Sequence, residues 1–343
     1  MNSRKKGTIM GYQLAREAFS EIFESIKKKY DIWAPVRKEG EGTFSEIDVI
    51  RYDKIKDLDE IEWEKRSDYS FKESLLKIRE TIFYFTEDET IVPKEQEKDL
   101  LIFLRSCEMH ALKRLDEMYL KSGKEDFYYA RMRKKAKFIL MGCKESCETG
   151  FCVSMGTNKS ENYDAYLKLE NNRVCLDVSD EELKKYFKGA PEEEVLPEFV
   201  QANLEKVELP KHLSKESAKL PIWEEYGARC IGCGRCNFVC PTCTCFTMQD
   251  IFYKDNEKAG ERRRVWASCQ VDKYDTIAGG HEFRTKKADK VRFKVLHKIY
   301  HYEKRFGYPM CVGCGRCDSV CPEYISYSNL INRLSKEEKR NEE

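Results

Sequence analysis

Several features that often identify a function are scarce in this sequence. Only five of the 343 residues are histidine, and no apolar run approaches the roughly 18 residues that a membrane-spanning helix requires. Basic and acidic residues number 62 and 61, so the net charge of +1 gives no overall attraction to nucleic acid or anionic membranes. No glycine-rich loop of the dinucleotide or Walker type is present. We therefore expect a chain that neither spans a membrane nor binds nucleic acid or nucleotides.

Cysteine, by contrast, is abundant, and half of the 16 cysteines lie in two near-identical runs, CIGCGRCNFVCP from Cys230 and CVGCGRCDSVCP from Cys311. Each run has the spacing C-x2-C-x2-C-x3-C-P. In two-cluster ferredoxins the first three thiolates of such a run bind one cubic cluster and the fourth binds the other. The spacing thus predicts two [4Fe-4S] clusters with crossed ligands. The first takes Cys230, Cys233, Cys236 and Cys321, and the second takes Cys311, Cys314, Cys317 and Cys240.

Structural zinc is the alternative for these runs. Zinc sites commonly pair one C-x2-C with a second, or with histidines. The third evenly spaced cysteine and the closing Cys-Pro in both runs favour clusters instead. So many thiols in a chain of this size indicate a reducing cytoplasm. The basic N-terminus reaches Arg16 and Glu17 before any apolar region, so it does not predict a signal peptide.

The first part of the chain, residues 1–220, is predicted to be an α/β domain. Apolar positions at helical spacing predict an amphipathic helix over about residues 9–30. DLLIFLRSC predicts a buried strand that ends at Cys107, and AKFILMGC predicts another that ends at Cys143, with helical sequence between them. This order indicates a βαβ unit with parallel strands. Both cysteines then lie at the carboxyl edge, where open α/β sheets bind ligands.

Two further cysteines follow in the loop KESCETGFCVSMG. We expect these four thiols to hold a third [4Fe-4S] cluster, with Glu108 or a partner residue as the alternative to Cys147. The other interpretation is that they are ordinary core thiols, as lone Cys175 is expected to be. The four predicted ligands are Cys107, Cys143, Cys147 and Cys152.

Smaller elements are also predicted. YDAYLKLE and RVCLDV form a hairpin with its turn at Asn171 and Asn172, and Ser179 with Glu182 forms a capping box. FVQANLEKV predicts a helix. The 70 residues between the runs include the helical pattern VRFKVLHKIYHYEKRF, so residues 221–343 are predicted to form a mainly helical, ferredoxin-like dicluster domain.

Other polar and sulfur-containing residues receive simpler interpretations. Cys243, Cys245 and Cys269 are expected to pack around a cluster and exclude water. Residues 262–264 and 284–305 are rich in lysine and arginine, and we expect solvated surfaces there, with docking of an acidic partner as the alternative. His110 and His281 are not expected to bind metal.

Five blocks together carry a family resemblance: RSCEMHALKRLD, GCKESCETGFCVSMGTN, CIGCGRCNFVCPTCTCF, ERRRVWASC with AGGHEFR, and CVGCGRCDSVCP. In this order, over about residues 30–330, they resemble the iron–sulfur electron-transfer subunit of anaerobic sulfite reductase and, next to it, the β subunits of cytoplasmic sulfhydrogenases. The family commonly carries Cys-Phe-Cys where Gly150, Phe151 and Cys152 stand here. The resemblance implies an electron carrier beside a flavin subunit that oxidises NADH and a sirohaem subunit that reduces sulfite to sulfide.

The expected function is therefore that of a cytoplasmic electron-transfer subunit in a hetero-oligomeric oxidoreductase. No catalytic residue is predicted on this chain, and flavin and sirohaem are expected on its partners. The β subunit of a nickel–iron sulfhydrogenase is the nearest alternative. An iron–sulfur redox regulator is a third interpretation.

Overall fold

The computed structural model describes residues 10–42, 46–94 and 96–342. The strands are β1 Met10–Ala15, β2 Tyr30–Lys38, β3 Val49–Lys54, β4 Arg79–Phe85, β5 Thr90–Ile91, β6 Asp99–Arg105, β7 Ala136–Met141, β8 Ala165–Glu170, β9 Arg173–Val178, β10 Glu192–Glu194, β11 Phe246–Tyr253 and β12 Asn256–Trp266. The helices are α1 Arg16–Lys29, α2 Lys72–Leu75, α3 Ser106–Leu120, α4 Phe127–Lys134, α5 Glu181–Lys184, α6 Ile222–Arg229, α7 Arg235–Phe238, α8 Lys287–Leu296, α9 Tyr302–Phe306, α10 Arg316–Ser319 and α11 Tyr327–Glu342. A π-helical turn, His297–His301, joins α8 to α9.

The larger sheet has eight strands in the order β10-β1-β9-β8-β7-β6-β2-β3. Its centre is parallel, since β2 pairs with β6, β6 with β7, and β7 with β8 in that sense. Strand β6 is apolar almost throughout because helices and loops cover both of its faces, as is usual for parallel strands. The predicted βαβ unit is confirmed: β6 leads through α3 and α4 to its neighbour β7.

This unit places two cysteines at one edge of the sheet. Cys107 lies two residues beyond β6, in the first turn of α3, and Cys143 lies two residues beyond β7. The last paired residues of the two strands are Arg105 and Met141, which lie opposite each other. The carboxyl edge of the central sheet therefore holds both thiols, as predicted.

A second sheet has the order β11-β12-β4-β5, so it combines strands from before and after residue 220. Strands β11 and β12 form a long hairpin between the two cysteine runs, and β12 pairs with β4. The mainly helical character predicted for residues 221–343 is thus not confirmed, and the fold is mixed α/β. The boundary near residue 220 stays a prediction.

Helices α6, α8 and α11 enclose a separate apolar cluster beside the two runs, with Trp223, Val295 and Leu334 buried in it. The helical pattern predicted from Val291 is confirmed in α8, the π turn and α9. Across the described part of the chain, every helix is too short or too polar to cross a membrane.

Two local predictions differ from the structure, and a third agrees with it. Residues 10–15 form a strand rather than the start of the first helix, because they pair with β9. The cap of α5 is Asp180, not Ser179, and its carboxylate accepts hydrogen bonds from the Glu182 and Leu183 amides. The hairpin turn is confirmed, since Asn171 and Asn172 have positive φ angles of 47° and 61°.

Candidate iron–sulfur sites

The first cysteine run lines a cavity at the start of α7. Cys230, Cys233 and Cys236 line it, and Cys321 from the second run lines the same cavity. Cys233 is exposed, whereas the other three are half-buried. The Gly232 amide donates to the Cys230 sulfur at 3.4 Å. The structure therefore brings the four predicted ligands of the first cluster together.

The second run repeats this local geometry, because the Gly313 amide donates to the Cys311 sulfur at 3.4 Å. Burial raises the pKa of Cys311 to about 12, and the neighbouring Cys314 and Cys240 thiols add to the rise. Burial also raises the pKa of Cys317, with Cys311 and Cys314 among its neighbours. Cys240 of the first run thus lies beside the second. Cys317 also lines the first cavity, so it stands between the two sites.

A separate cavity lies at the carboxyl edge of β6 and β7, and we call it the third cavity because the predicted ligands of the third cluster line it. Arg105 donates to the Cys143 sulfur at 3.5 Å, and Asn203 donates to the Cys152 sulfur at 3.7 Å. Burial raises the pKa of Cys107 well above its ordinary value, and Glu108 and Cys314 reinforce the shift. The cysteines that line this cavity are Cys107, Cys143, Cys147, Cys152 and Cys314.

Glu108 is the alternative ligand to Cys147, but its carboxylate already accepts hydrogen bonds from other residues. One of its carboxylate oxygens accepts from Arg316 at 2.6 Å, and the other accepts from the Tyr52 hydroxyl at 2.8 Å and the Arg105 amide at 3.1 Å. The side chains of Glu108 and Arg316 are each only 1% exposed, so each supplies the charge that the other needs in the interior. Glu108 therefore serves as an internal partner of Arg316, which lies in the second run.

The third site packs directly on the loop of the second. The Phe151 amide donates to the Gly313 carbonyl at 2.7 Å, and the Thr149 hydroxyl donates to the Gly315 carbonyl at 2.9 Å. Both glycines have positive φ, and a Cβ on Gly315 would lie 2.0 Å from the Thr149 carbonyl oxygen. Only glycine permits this backbone contact. The sequence marks these glycines, but it does not reveal what they contact.

The surroundings of the first and third cavities fit iron–sulfur clusters. In the described residues, the Tyr327 hydroxyl beside the first cavity and the Ser106 hydroxyl beside the third are buried without a hydrogen-bond partner. Buried polar groups normally find an acceptor, and cluster sulfurs accept hydrogen bonds. Lys294 and Lys298 are also buried here. Sequence reasoning missed them, although their spacing of four in a helical pattern was the available signal.

The remaining cysteines do not line the third cavity. Cys269 accepts hydrogen bonds from Asn237 at 3.1 Å and Gln270 at 3.5 Å. A hydrogen bond with Cys245 is the main reason that the pKa of Cys269 falls to about 5. Cys175 is buried in β9 and accepts from Gln13 at 3.5 Å, far from the runs in sequence.

The basic stretches and the histidines have ordinary partners. Arg262 pairs with Asp250, and Arg264 pairs with Asp126. His110 forms a 2.7 Å hydrogen bond with the Lys159 carbonyl. Neither these arginines nor His110 line the first or third cavity.

Comparisons with known proteins agree with this picture. Residues 229–325 match the family described as "4Fe-4S dicluster domain". The chain is also similar to sulfhydrogenase 2 subunit beta of Pyrococcus furiosus, with 28% identity over 343 residues that covers 94% of this chain and 97% of that protein. No solved structure matches. The part of the chain that contains both cysteine runs is therefore similar to 4Fe-4S dicluster domains.

Proposed function

We propose that this chain is an iron–sulfur electron-transfer subunit that carries three [4Fe-4S] clusters in a row. The observation that carries the proposal is the sharing of cysteines between neighbouring sites. Cys317 and Cys321 of the second run line the first cavity, and Cys314 of that run lines the third. This sharing supports a second cluster between the other two, which would give a path for stepwise electron transfer.

The ligand sets follow the sequence prediction. Cys230, Cys233, Cys236 and Cys321 would hold the first cluster, and Cys311, Cys314, Cys317 and Cys240 the second. Cys107, Cys143, Cys147 and Cys152 would hold the third. When bound, such clusters supply one-electron transfer.

The protein residues would position the clusters and control their surroundings. Amide groups at Gly232 and Gly313 donate to ligand sulfurs, and hydrogen bonds of this kind tune cluster potentials. No bond of a substrate is made or broken on this chain, so its chemistry is limited to accepting and passing electrons.

The first site is the one open to a partner. Cys233 is exposed, and so are three apolar side chains that line the cavity or are next in the chain to residues that line it: Ile231 by 52%, Val271 by 38% and Tyr324 by 87%. Exposed apolar groups around a redox centre favour docking of another redox protein. We infer that electrons enter or leave at the first cluster, and that the third serves the opposite end.

The partners are best described as subunits of a multi-subunit oxidoreductase. The relative is a sulfhydrogenase beta subunit, and its similarity extends over nearly the whole of both chains. This favours a hydrogenase of the sulfhydrogenase type over the sulfite reductase that the sequence blocks resemble. Sulfite reduction, with flavin and sirohaem on separate partners, is the second candidate because of those blocks.

Anaerobic purification of the native complex, followed by cofactor analysis, tests these assignments. We expect iron and sulfide on this chain, and flavin together with nickel on its partners. Flavin together with sirohaem would establish the second candidate instead. Co-purified nucleic acid without either enzyme partner would contradict both and support a redox regulator.

A further inference from the structure

Helix α8 and the π turn carry a row of buried lysines. Lys290, Lys294 and Lys298 are spaced by four residues, and their relative exposures are only 2%, 8% and 3%. Lysine is among the residues least often buried, and helical lysines usually lie on the solvated face. The prediction of a solvated basic face for this segment is therefore wrong for these three residues.

Only one of the three has a carboxylate partner. Lys290 pairs with Asp272. Among the described residues, Lys294 and Lys298 form no ion pair with a carboxylate. Burial by itself lowers the pKa of Lys294, but the thiols of Cys236, Cys317 and Cys243 raise it well above its ordinary value.

Lys298 lies on the side of the second site. Its ammonium group donates to the Thr242 hydroxyl at 2.6 Å and lies 3.6 Å from the Met310 sulfur. Burial lowers the pKa of Lys298, but the thiols of Cys240, Cys243 and Cys311 raise it overall. The Lys298 carbonyl also accepts the Met310 amide at 2.8 Å, which fixes the start of the second run.

A fourth buried lysine approaches from the N-terminal part of the chain. Lys72 of α2 donates to the carbonyls of Cys240 at 3.1 Å and Cys243 at 2.9 Å, and its ammonium lies 4.0 Å from the centre of the Trp266 ring. The end of the first run therefore has two lysine ammonium groups near it, that of Lys72 from α2 and that of Lys298 from the π turn.

Buried ammonium groups without an anion are strongly unfavourable. A cubic cluster with four thiolate ligands has a net negative charge, which supplies the missing anion, and its reduction adds one more negative charge. A fixed cation nearby stabilises the reduced form more than the oxidised form. It therefore raises the reduction potential.

We propose that Lys294 and Lys298 set the reduction potentials of the two ferredoxin-type clusters. Lys298 acts on the second cluster, and Lys294 acts on both because it lines the first cavity together with Cys236 and Cys317, which are proposed ligands of different clusters. This inference rests on the proposed function, since it requires that the clusters are present. The π turn supports it, because such turns widen a helix locally and often occur at functional sites.

The test uses the full chain with Lys298→Met and Lys294→Met, which remove the charge but keep the length and apolar stem. Lys304→Met is the matched control, since Lys304 is an exposed lysine of α9 in the same helical segment. Iron is counted first, and midpoint potentials are then measured by anaerobic redox titration followed by electron paramagnetic resonance. We expect Lys298→Met to lower the one-electron equilibrium constant for reducing the second cluster at least tenfold, about 59 mV, and Lys304→Met to leave it unchanged.

The outcomes separate this inference from the proposed function. A wild-type chain without iron would overturn the function itself. Full iron with wild-type potentials in both methionine variants would overturn only the lysine assignment. If Lys298→Met does not retain iron but Lys298→Arg does, the positive charge is required at this position, which supports the proposal. If neither variant retains iron, the side chain is needed for packing, and the proposal is overturned.

Discussion

At the scale of single residues, a contact between the second and third sites depends on the absence of one side chain. Gly315 has a φ of 71°, and its Cα faces the Thr149 backbone. Glycine is favoured at this position for two independent reasons. The left-handed backbone disfavours any other residue, and the contact with Thr149 leaves no room for a methyl group. Gly280 has a similar φ of 80°, but nothing lies within 4 Å of where its Cβ would be.

Gly315→Ala and Gly280→Ala therefore separate the two effects. We expect Gly280→Ala to cost about 1 kcal/mol through backbone strain alone. Gly315→Ala should cost about 3 kcal/mol or more, because the new methyl group must also displace backbone. Anaerobic thermal unfolding, followed by visible absorbance, measures the difference. Equal midpoints for the two variants would show that the Thr149 contact has no energetic effect.

A buried ion pair fixes the second run to the α/β sheet. Arg316 and Glu108 are both almost completely buried and are joined by a 2.6 Å hydrogen bond. Glu108→Gln would leave the guanidinium without an anion, so we expect a loss of about 3–5 kcal/mol in unfolding free energy. Chemical denaturation of the anaerobic protein measures it.

The chain offers a matched control in the pair of Arg333 and Glu225, which is bidentate but lies on the surface. Glu225→Gln should leave stability close to wild type, because exposed ion pairs contribute little. Similar effects of Glu108→Gln and Glu225→Gln would refute the special role of the buried pair.

The cysteine ligands are easier to predict from the sequence than the charged residues that surround them. Cysteine spacing is local, so the two runs could be assigned from a dozen residues each. The environment of Lys294 or Lys298 depends on which helical face meets the runs, and the packing of α6, α8 and α11 decides this. The same limit applies to Glu108, whose partner Arg316 lies 208 residues away.

At the scale of elements, the crossing of ligands between the two runs is directly testable. Cys321 lines the cavity of the first run, so Cys321→Ser should remove the same spectroscopic signal as Cys230→Ser. Cys240→Ser should instead resemble Cys311→Ser. Electron paramagnetic resonance of the four reduced variants compares them. A spectrum of Cys321→Ser that matches Cys311→Ser would contradict crossing.

The elements that sequence predicted well are those whose partners are near in sequence. Strands β6 and β7 were found because continuous apolar runs flank a helical pattern. The hairpin of β11 and β12 was missed because β11 is largely exposed and β12, NEKAGERRRVW, is highly charged.

The helix predicted at FVQANLEKV is wrong for a specific reason. Several groups of this segment form hydrogen bonds with residues elsewhere in the chain, including the loop of the third site. The Val200 carbonyl accepts from Asn158 at 2.8 Å, and the Asn203 side chain accepts from the Val153 amide at 2.7 Å. Asn203 also donates to the Cys152 sulfur. Such contacts join residues that are distant in sequence, so the spacing of apolar residues does not reveal them.

At the scale of the whole molecule, the sequence contains cysteine runs typical of electron carriers but no glycine-rich motif typical of proteins that bind a hydride donor. We expect dithionite to bleach the visible absorption of the purified chain directly. NADH should do so only after a flavin-containing partner is added, because no glycine-rich nucleotide loop is present in the sequence. Anaerobic absorption spectroscopy tests this. Bleaching of the flavin-free chain by NADH would be the contrary result.

The number of clusters is the broadest test of the proposed electron path. Three cubic clusters predict about 12 irons per chain, whereas the two ferredoxin runs alone predict about 8.

Cys107→Ser and Cys143→Ser should each remove about four irons and leave the other two clusters in place. Their thiols line the third cavity from the ends of two neighbouring strands, and Cys314, which also lines it, is a proposed ligand of the second cluster. Cys175→Ser is the matched control, because this buried thiol lies in β9 and does not line that cavity. Loss of iron in Cys147→Ser would identify Cys147 as the fourth ligand of this cluster. A fully loaded wild-type chain with about 8 irons, and the same count in Cys107→Ser, would make the third cavity a packing feature and end the electron path at the second cluster.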